Sequence, residues 1–123
     1  MDYQTKKAIY LQIADYVCEQ ILLAKWLPKE KIPSVRELAV SMEVNPNTIM
    51  RTYAFLEEKN IIATQRGIGY FVTDSAYENV VLLKKSEFLT QELPQIFRSM
   101  DLLKIDFASI QTLYEQRFKY EKE

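Results

Sequence analysis

The sequence predicts a mainly α fold carrying one small β-hairpin, and three observations predict it. Apolar residues recur at three- and four-residue spacing along most of the chain, the pattern of helices with one buried face. One stretch, residues 61–73, instead holds two short runs rich in β-branched and aromatic residues. Glycine is scarce: the 123 residues include 2, where average usage gives roughly eight or nine, and both stand between those two runs.

The first helical period covers residues 9 to 25, where Ile13, Val17 and Ile21 recur every four residues beside Ala14, Cys18 and Ala24. Cys18 lies on this apolar stripe, so it reads as a core thiol and not a nucleophile. Residues 26–33 contain Pro28 and Pro33 and read as a loop, because neither proline suits a helix interior. Ser34-Val35-Arg36-Glu37 is a capping box that opens a short helix reaching Met42, with Val35, Leu38, Ala39 and Met42 turned inward. Glu43-Val44 turns tightly. Asn45 then caps a second helix with Pro46 at its first position, where the missing N–H costs nothing. Ile49, Tyr53 and Leu56 form its buried face and Asn60 ends it. Two such helices joined by about three residues make a helix-turn-helix.

The hairpin follows as Ile61–Gln65 and Tyr70–Thr73 around the tip Arg66-Gly67-Ile68-Gly69. From Ser75 the pattern is helical again, with a long apolar period from Val80 to Met100 that Pro94 should kink or split. Asp106 caps a last helix bearing Phe107, Ile110, Leu113, Tyr114 and Phe118 on one face.

Composition excludes several chemistries. Histidine is absent and cysteine occurs once, so a Ser-His-Asp triad and a Cys/His zinc site are both excluded. Two glycines are too few for a phosphate loop or a dinucleotide fingerprint. No apolar run is long enough to span a bilayer, and a lone cysteine suits a reducing cytoplasm. No catalytic residue, metal or cofactor is expected.

A helix-turn-helix followed by a two-stranded hairpin is the winged-helix arrangement. Residues Ile32-Pro33-Ser34-Val35-Arg36-Glu37-Leu38-Ala39, Val44-Asn45-Pro46-Asn47-Thr48-Ile49-Met50-Arg51-Thr52-Tyr53, Leu56-Glu57 and Arg66-Gly67-Ile68-Gly69-Tyr70-Phe71-Val72 closely resemble the GntR family of bacterial transcription regulators. The opening Ile9-Tyr10-Leu11-Gln12-Ile13 is similar to the family's first helix, so the resemblance covers residues 8 to 73. The short tail resembles the YtrA-type branch, which lacks large ligand-binding domains. Ala24 and Lys29 depart from the pattern, standing where the family usually has glycine.

The residues support the same reading independently. Helix-turn-helix proteins place the N-terminal end of the second helix in the major groove, and that end presents Asn45, Asn47, Thr48 and Arg51. Asn47 suits adenine, Arg51 suits guanine or a phosphate, and Thr48 suits either kind of contact. Asn45 is first a cap, with DNA contact as its other use. Ser34 and Arg36 open the preceding helix, and the resemblance implies a base-reading role for Arg36. Gln65, Arg66, Gly67 and Gly69 form a tip fit for the minor groove. Against these stand blander uses: Arg36 could pair with Glu37 or Glu43, and Arg51 with Glu43. Tyr53, Tyr70 and Phe71 read as core, and Lys6-Lys7 as a solvated pair or a phosphate-contacting arm.

Residues 1–74 hold nine basic and nine acidic side chains, so the expected DNA-binding domain is neutral and must rely on a few placed arginines. Residues 75–123 have too few helices to enclose a core. Their apolar faces must pack on the first domain, on each other or, as the reading favoured here, on a second subunit. The expected protein is a cytoplasmic homodimer whose C-terminal helices hold two such domains over an inverted-repeat operator in double-stranded DNA, acting as a repressor. A winged-helix protein-interaction module is the alternative. A small-molecule effector, if one exists, would seat between the tail helices or at the junction near Tyr77, Phe88 and Tyr114, aromatics that packing explains more simply.

Overall fold

The computed structural model describes residues 7–121. Helix α1 spans Ile9–Leu22, α2 Val35–Met42 and α3 Pro46–Glu58; strands β1 (Ile62–Gln65) and β2 (Gly69–Val72) follow, then α4 (Ala76–Glu87). A π-helical turn, Phe88–Glu92, leads into α5 (Leu93–Leu103), and α6 covers Phe107–Glu121. The mainly α fold with one hairpin is therefore the fold observed. The chain forms two compact units, residues 1–86 and 87–123.

The core lies in the first unit. It joins Ile13, Ala14, Val17, Cys18 and Ile21 of α1 to Leu38 and Ala39 of α2, Ile49, Tyr53 and Leu56 of α3, Ile62 and Val72 of the hairpin, and Ala76 and Val80 of α4. The first half of α4 is thus packed into the same core as the helix-turn-helix, and the first unit reaches past residue 74. Among the described residues each buried side-chain polar atom has a hydrogen-bond partner; the Tyr53 hydroxyl donates to the Pro33 carbonyl at 2.6 Å, and its burial pushes the phenol pKa well above the usual range. Tyr53 also meets Tyr70 edge-on, with ring centroids 4.7 Å apart.

The two strands pair antiparallel with Ile62 opposite Val72 and Gln65 opposite Gly69. The segment read as a loop before α2 also joins this sheet. Lys29 N–H donates to the Val72 carbonyl (2.8 Å), Val72 N–H to that of Glu30 (3.0 Å), and Ile32 N–H to that of Tyr70 (3.0 Å), with Lys31 bridged to Phe71. The prolines that bracket the segment hid it, because they exclude helix but tolerate a short edge strand.

Pro94 acts where expected. It sits in the first turn of α5 and the chain widens ahead of it, with Leu93 N–H donating to the Phe88 carbonyl five residues back. A proline has no N–H to offer the residue four before it, and a π turn is one way a helix absorbs that loss. In the second unit α5 buries none of its residues. Leu89, Phe97, Leu102, Leu103, Phe107, Leu113, Tyr114 and Phe118 there are at least half exposed.

Candidate nucleic-acid interface

The capping box opens α2 as the sequence implies: Glu37 N–H donates to Ser34 Oγ (3.1 Å) and Ser34 N–H to Glu37 Oε1 (2.9 Å). The Ser34 backbone N–H and the Ser34 hydroxyl, both beside the Glu37 carboxylate, hold it below its ordinary range, with Lys31 adding to the effect. Arg36, in the first turn of α2, is exposed. Helix α2 ends at Glu43, whose positive φ of 55° turns the chain toward α3.

Asn45 caps α3, its Oδ1 accepting from the Asn47 N–H at 2.8 Å, and Pro46 occupies the first turn. That bond commits the Asn45 carbonyl oxygen to the helix. Asn47 and Arg51 are exposed and Thr48 is half-buried, while Ile49, Thr52, Tyr53 and Leu56 anchor the opposite side. The helix therefore presents its N-terminal polar residues outward because its apolar positions are spent on the core.

Asn47, Thr48 and Arg51 come together in one surface cleft of about 350 Å³, whose remaining lining is Ala8, Ile9 and Tyr10. Ser34, Asn45 and Arg36 are not among its lining residues. The contribution of α1 is not legible in the sequence, where Ile9-Tyr10-Leu11 reads only as a helix start, because a contact between segments forty residues apart leaves no local signal. Met50, also unforeseen, is 56% exposed on α3.

Gln65, Arg66 and Gly67 lie exposed at the hairpin tip and Gly69 is half-buried. The turn closes through Ile68 N–H donating to the Gln65 carbonyl at 2.9 Å, with Gly67 at φ +79° in the third turn position, where a type II turn requires it. Gly69 is favoured by its φ of +143°, which L side chains rarely adopt; a Cβ there would also press on the flexible Lys31 side chain, with Cε at 3.0 Å.

Lys7 pairs with Asp15 at 2.8 Å and Lys84 pairs with the same carboxylate, and neither pair engages Arg36, Arg51 or Arg66. The carboxylate partners weighed for Arg36 and Arg51 are thus not taken up. Arg51 lies instead over the Tyr10 ring, its Cζ 4.0 Å from the centroid. Lys7 is tied to Asp15, so it is not the solvated residue of a surface pair, and Lys6 lies outside the described residues. Tyr77 belongs to the first unit, and Phe88 and Tyr114 to the second; all three are exposed. No helix among the described residues is long and apolar enough to cross a membrane.

Comparison with known proteins places this arrangement. The family of bacterial regulatory proteins, gntR family, matches residues 9–72. The HTH-type transcriptional regulator YhcF of Bacillus subtilis is 47% identical over 74 residues, 60% of this chain and 61% of that protein, so the match spans less than two thirds of the relative's length. The HTH-type transcriptional repressor YtrA of Bacillus subtilis is 34% identical over 96 residues, 78% of this chain and 73% of its own. The crystal structure of a GntR-family transcriptional regulator from Bacteroides thetaiotaomicron superposes with a TM-score of 0.78 at 40% identity, covering 93% of this chain and 99% of that one. The DNA-binding domain of AraR, solved in complex with operator ORR3, superposes with a TM-score of 0.51 at 30% identity over 52% of this chain and 77% of that domain. Helix-turn-helix, wing and matched sequence agree, and the chain belongs to the GntR family of transcription regulators, with that family's DNA-binding winged helix at its N-terminal end.

Proposed function

We propose that this protein is a cytoplasmic, homodimeric repressor that reads an inverted-repeat operator. The observation that carries the reading is the cleft at the N-terminal end of α3, where Asn47, Thr48 and Arg51 stand together and, among the described residues, no carboxylate pairs with the arginine. Arg51 and Asn47 would contact base edges in the major groove and Thr48 a base or phosphate. Arg36 and Ser34, at the start of α2, would contact the backbone or a groove edge. Asn45 would contribute its amide N–H₂ group, because its carbonyl oxygen is committed to the cap. Gln65, Arg66, Gly67 and Gly69 would enter the adjacent minor groove, where an arginine is electrostatically favoured.

The exposed Met50 bears on the alternative of a protein-docking module. A docking face needs a contiguous apolar patch, and Met50 is the one large apolar residue exposed on α3. A single apolar side chain beside Asn47 and Arg51 suits a thymine methyl better. The repressor assignment draws on YtrA, which carries that description. The dimer draws on the second unit, whose apolar side chains find no interior of their own, and the two-fold axis of a dimer implies a pseudo-palindromic site.

Selection of bound DNA from random oligonucleotides by the purified protein tests this directly. An inverted repeat should emerge. Arg51→Ala should abolish sequence-specific binding with the fold intact, and Arg66→Ala should weaken it less. If neither substitution affects binding to the selected site, the assignment of the interface is wrong.

A further inference from the structure

We infer that Tyr10 is a positioning residue for Arg51: its ring, fixed to the recognition helix through its own backbone, holds the guanidinium with its donor edge turned outward. The inference rests on the proposed DNA contact of Arg51 and goes one residue further, to what makes that contact selective.

Two independent observations meet here. The Arg51 guanidinium carbon lies 4.0 Å from the centroid of the Tyr10 ring, a stacking distance at which the cation is attracted to the ring face. The backbone of Tyr10 is tied to α3 beside that arginine. Thr52, the next residue along α3, is completely buried and its Oγ1 donates to the Tyr10 carbonyl at 2.7 Å. The same hydroxyl lies 3.0 Å from the Thr48 carbonyl, one turn back in α3. The backbone from which the Tyr10 ring projects is therefore held beside Arg51 by a part-buried hydrogen bond between α1 and α3, independently of the stack itself.

The chemistry follows from the shape of the guanidinium. Its five N–H donors lie in one plane, and a ring against its face satisfies none of them. Stacking thus restrains a long, flexible side chain while leaving the whole donor edge for the O6/N7 pair of a guanine or for two phosphate oxygens. A carboxylate partner would have restrained it equally but occupied that edge, and the described residues supply none. A lysine at position 51 could share the attraction but not the planar fork.

The test is a double-mutant cycle on the full-length protein, using the DNA site selected by the wild type, with melting temperature and circular dichroism confirming that each variant folds. Tyr10→Leu should weaken specific binding about three- to tenfold. Tyr10→Phe, which keeps the ring, should stay within about twofold of the wild type. In an Arg51→Ala background, with the residual affinity for the site measured at low salt where phosphate contacts alone still hold it, Tyr10→Leu should cost nothing further. At the base pair whose replacement the wild type penalises and Arg51→Ala tolerates, Tyr10→Leu should also discriminate less, a readout that a merely structural role would not move. Equal losses with and without Arg51 overturn the inference, as does a loss in Tyr10→Phe equal to that in Tyr10→Leu, which would make the hydroxyl a direct DNA contact. Arg51→Ala binding like the wild type is the distinguishable case that sinks the interface reading itself, and the inference with it.

Discussion

Thr52 shows how much one hydroxyl can organise. Among the described residues it is the one buried polar residue beside sixteen buried apolar ones, and its Oγ1 joins the start of α1 to the middle of α3. Thr52→Val keeps the shape but leaves the Tyr10 carbonyl facing an apolar methyl, at a cost of about 1–3 kcal/mol. Urea unfolding should show the loss as a lower midpoint with an unchanged slope. Glu37 offers a test of a different kind. Its fully exposed carboxyl is held below the ordinary 4.5 by the two bonds to Ser34, so the folded state favours its ionised form. The stability it contributes is fully present above that ordinary value and disappears as the pH falls below 4.5 through the depressed folded one. Glu37→Gln retains a side-chain acceptor for the Ser34 N–H and removes the charge. The difference in stability between wild type and Glu37→Gln should therefore be constant from pH 6 to 8 and shrink below pH 4.5; a difference independent of pH would count against the capping box as the cause.

At the scale of elements the shortage of glycine has a structural counterpart. Helices α1, α2, α3 and α5 are each followed by a left-handed residue that is not glycine: Ala24 (φ 58°), Glu43 (55°), Asn60 (58°) and Lys104 (56°). The closing bonds at α1, Lys25 N–H to the Gln20 carbonyl at 2.9 Å and Ala24 N–H to that of Ile21 at 3.1 Å, are those of a Schellman motif, and α3 repeats them with Ile61 to Leu56 and Asn60 to Glu57. Asn tolerates this conformation, whereas Ala meets its full steric cost of about 1–2 kcal/mol. Glycine at position 24 removes that cost and returns roughly half of the gain through the entropy of the unfolded chain. Ala24→Gly should therefore raise the melting temperature by a few degrees, about 0.5–1 kcal/mol of stability, while Asn60→Gly should leave it nearly unchanged. The same two sites explain what the sequence makes legible. Asn60 reads as a helix end because its side chain belongs there; Ala24 reads as part of the apolar stripe of α1, and only its resemblance to a glycine position hints that the helix has stopped. Ser34-Glu37 and Asn45-Pro46 are readable for the first reason, since their chemistry is local. The bridge from Lys31 to Phe71 and the Tyr10–Arg51 stack escape notice because each depends on a partner some forty residues away.

The whole molecule divides its apolar residues unequally. The buried core belongs to residues 13–80, while α5 and α6 carry aromatic and aliphatic side chains with no interior to enter. A formal net charge of -1 gives no long-range attraction to a polyanion, so affinity must come from a small number of placed cations. Pairing two copies doubles that number without making either copy basic. The consequence is measurable in salt. For a protein that neutralises Z phosphates, log K falls with log [salt] at a slope of about −0.9Z, so a dimer engaging both half-sites should show about twice the slope of a single winged helix. Tyr114 and Phe118, 63% and 53% exposed on α6, are the places to break the pair, because glutamate there introduces like charges into the proposed contact while leaving residues 13–80 untouched. Tyr114→Glu/Phe118→Glu should sediment as a monomer, keep the melting behaviour of the first unit, bind the selected operator far more weakly and show about half the salt slope of the native protein. A monomer that binds as tightly as the native chain, with an unchanged slope, would mean that one winged helix suffices and that the apolar faces of α5 and α6 serve something other than operator recognition.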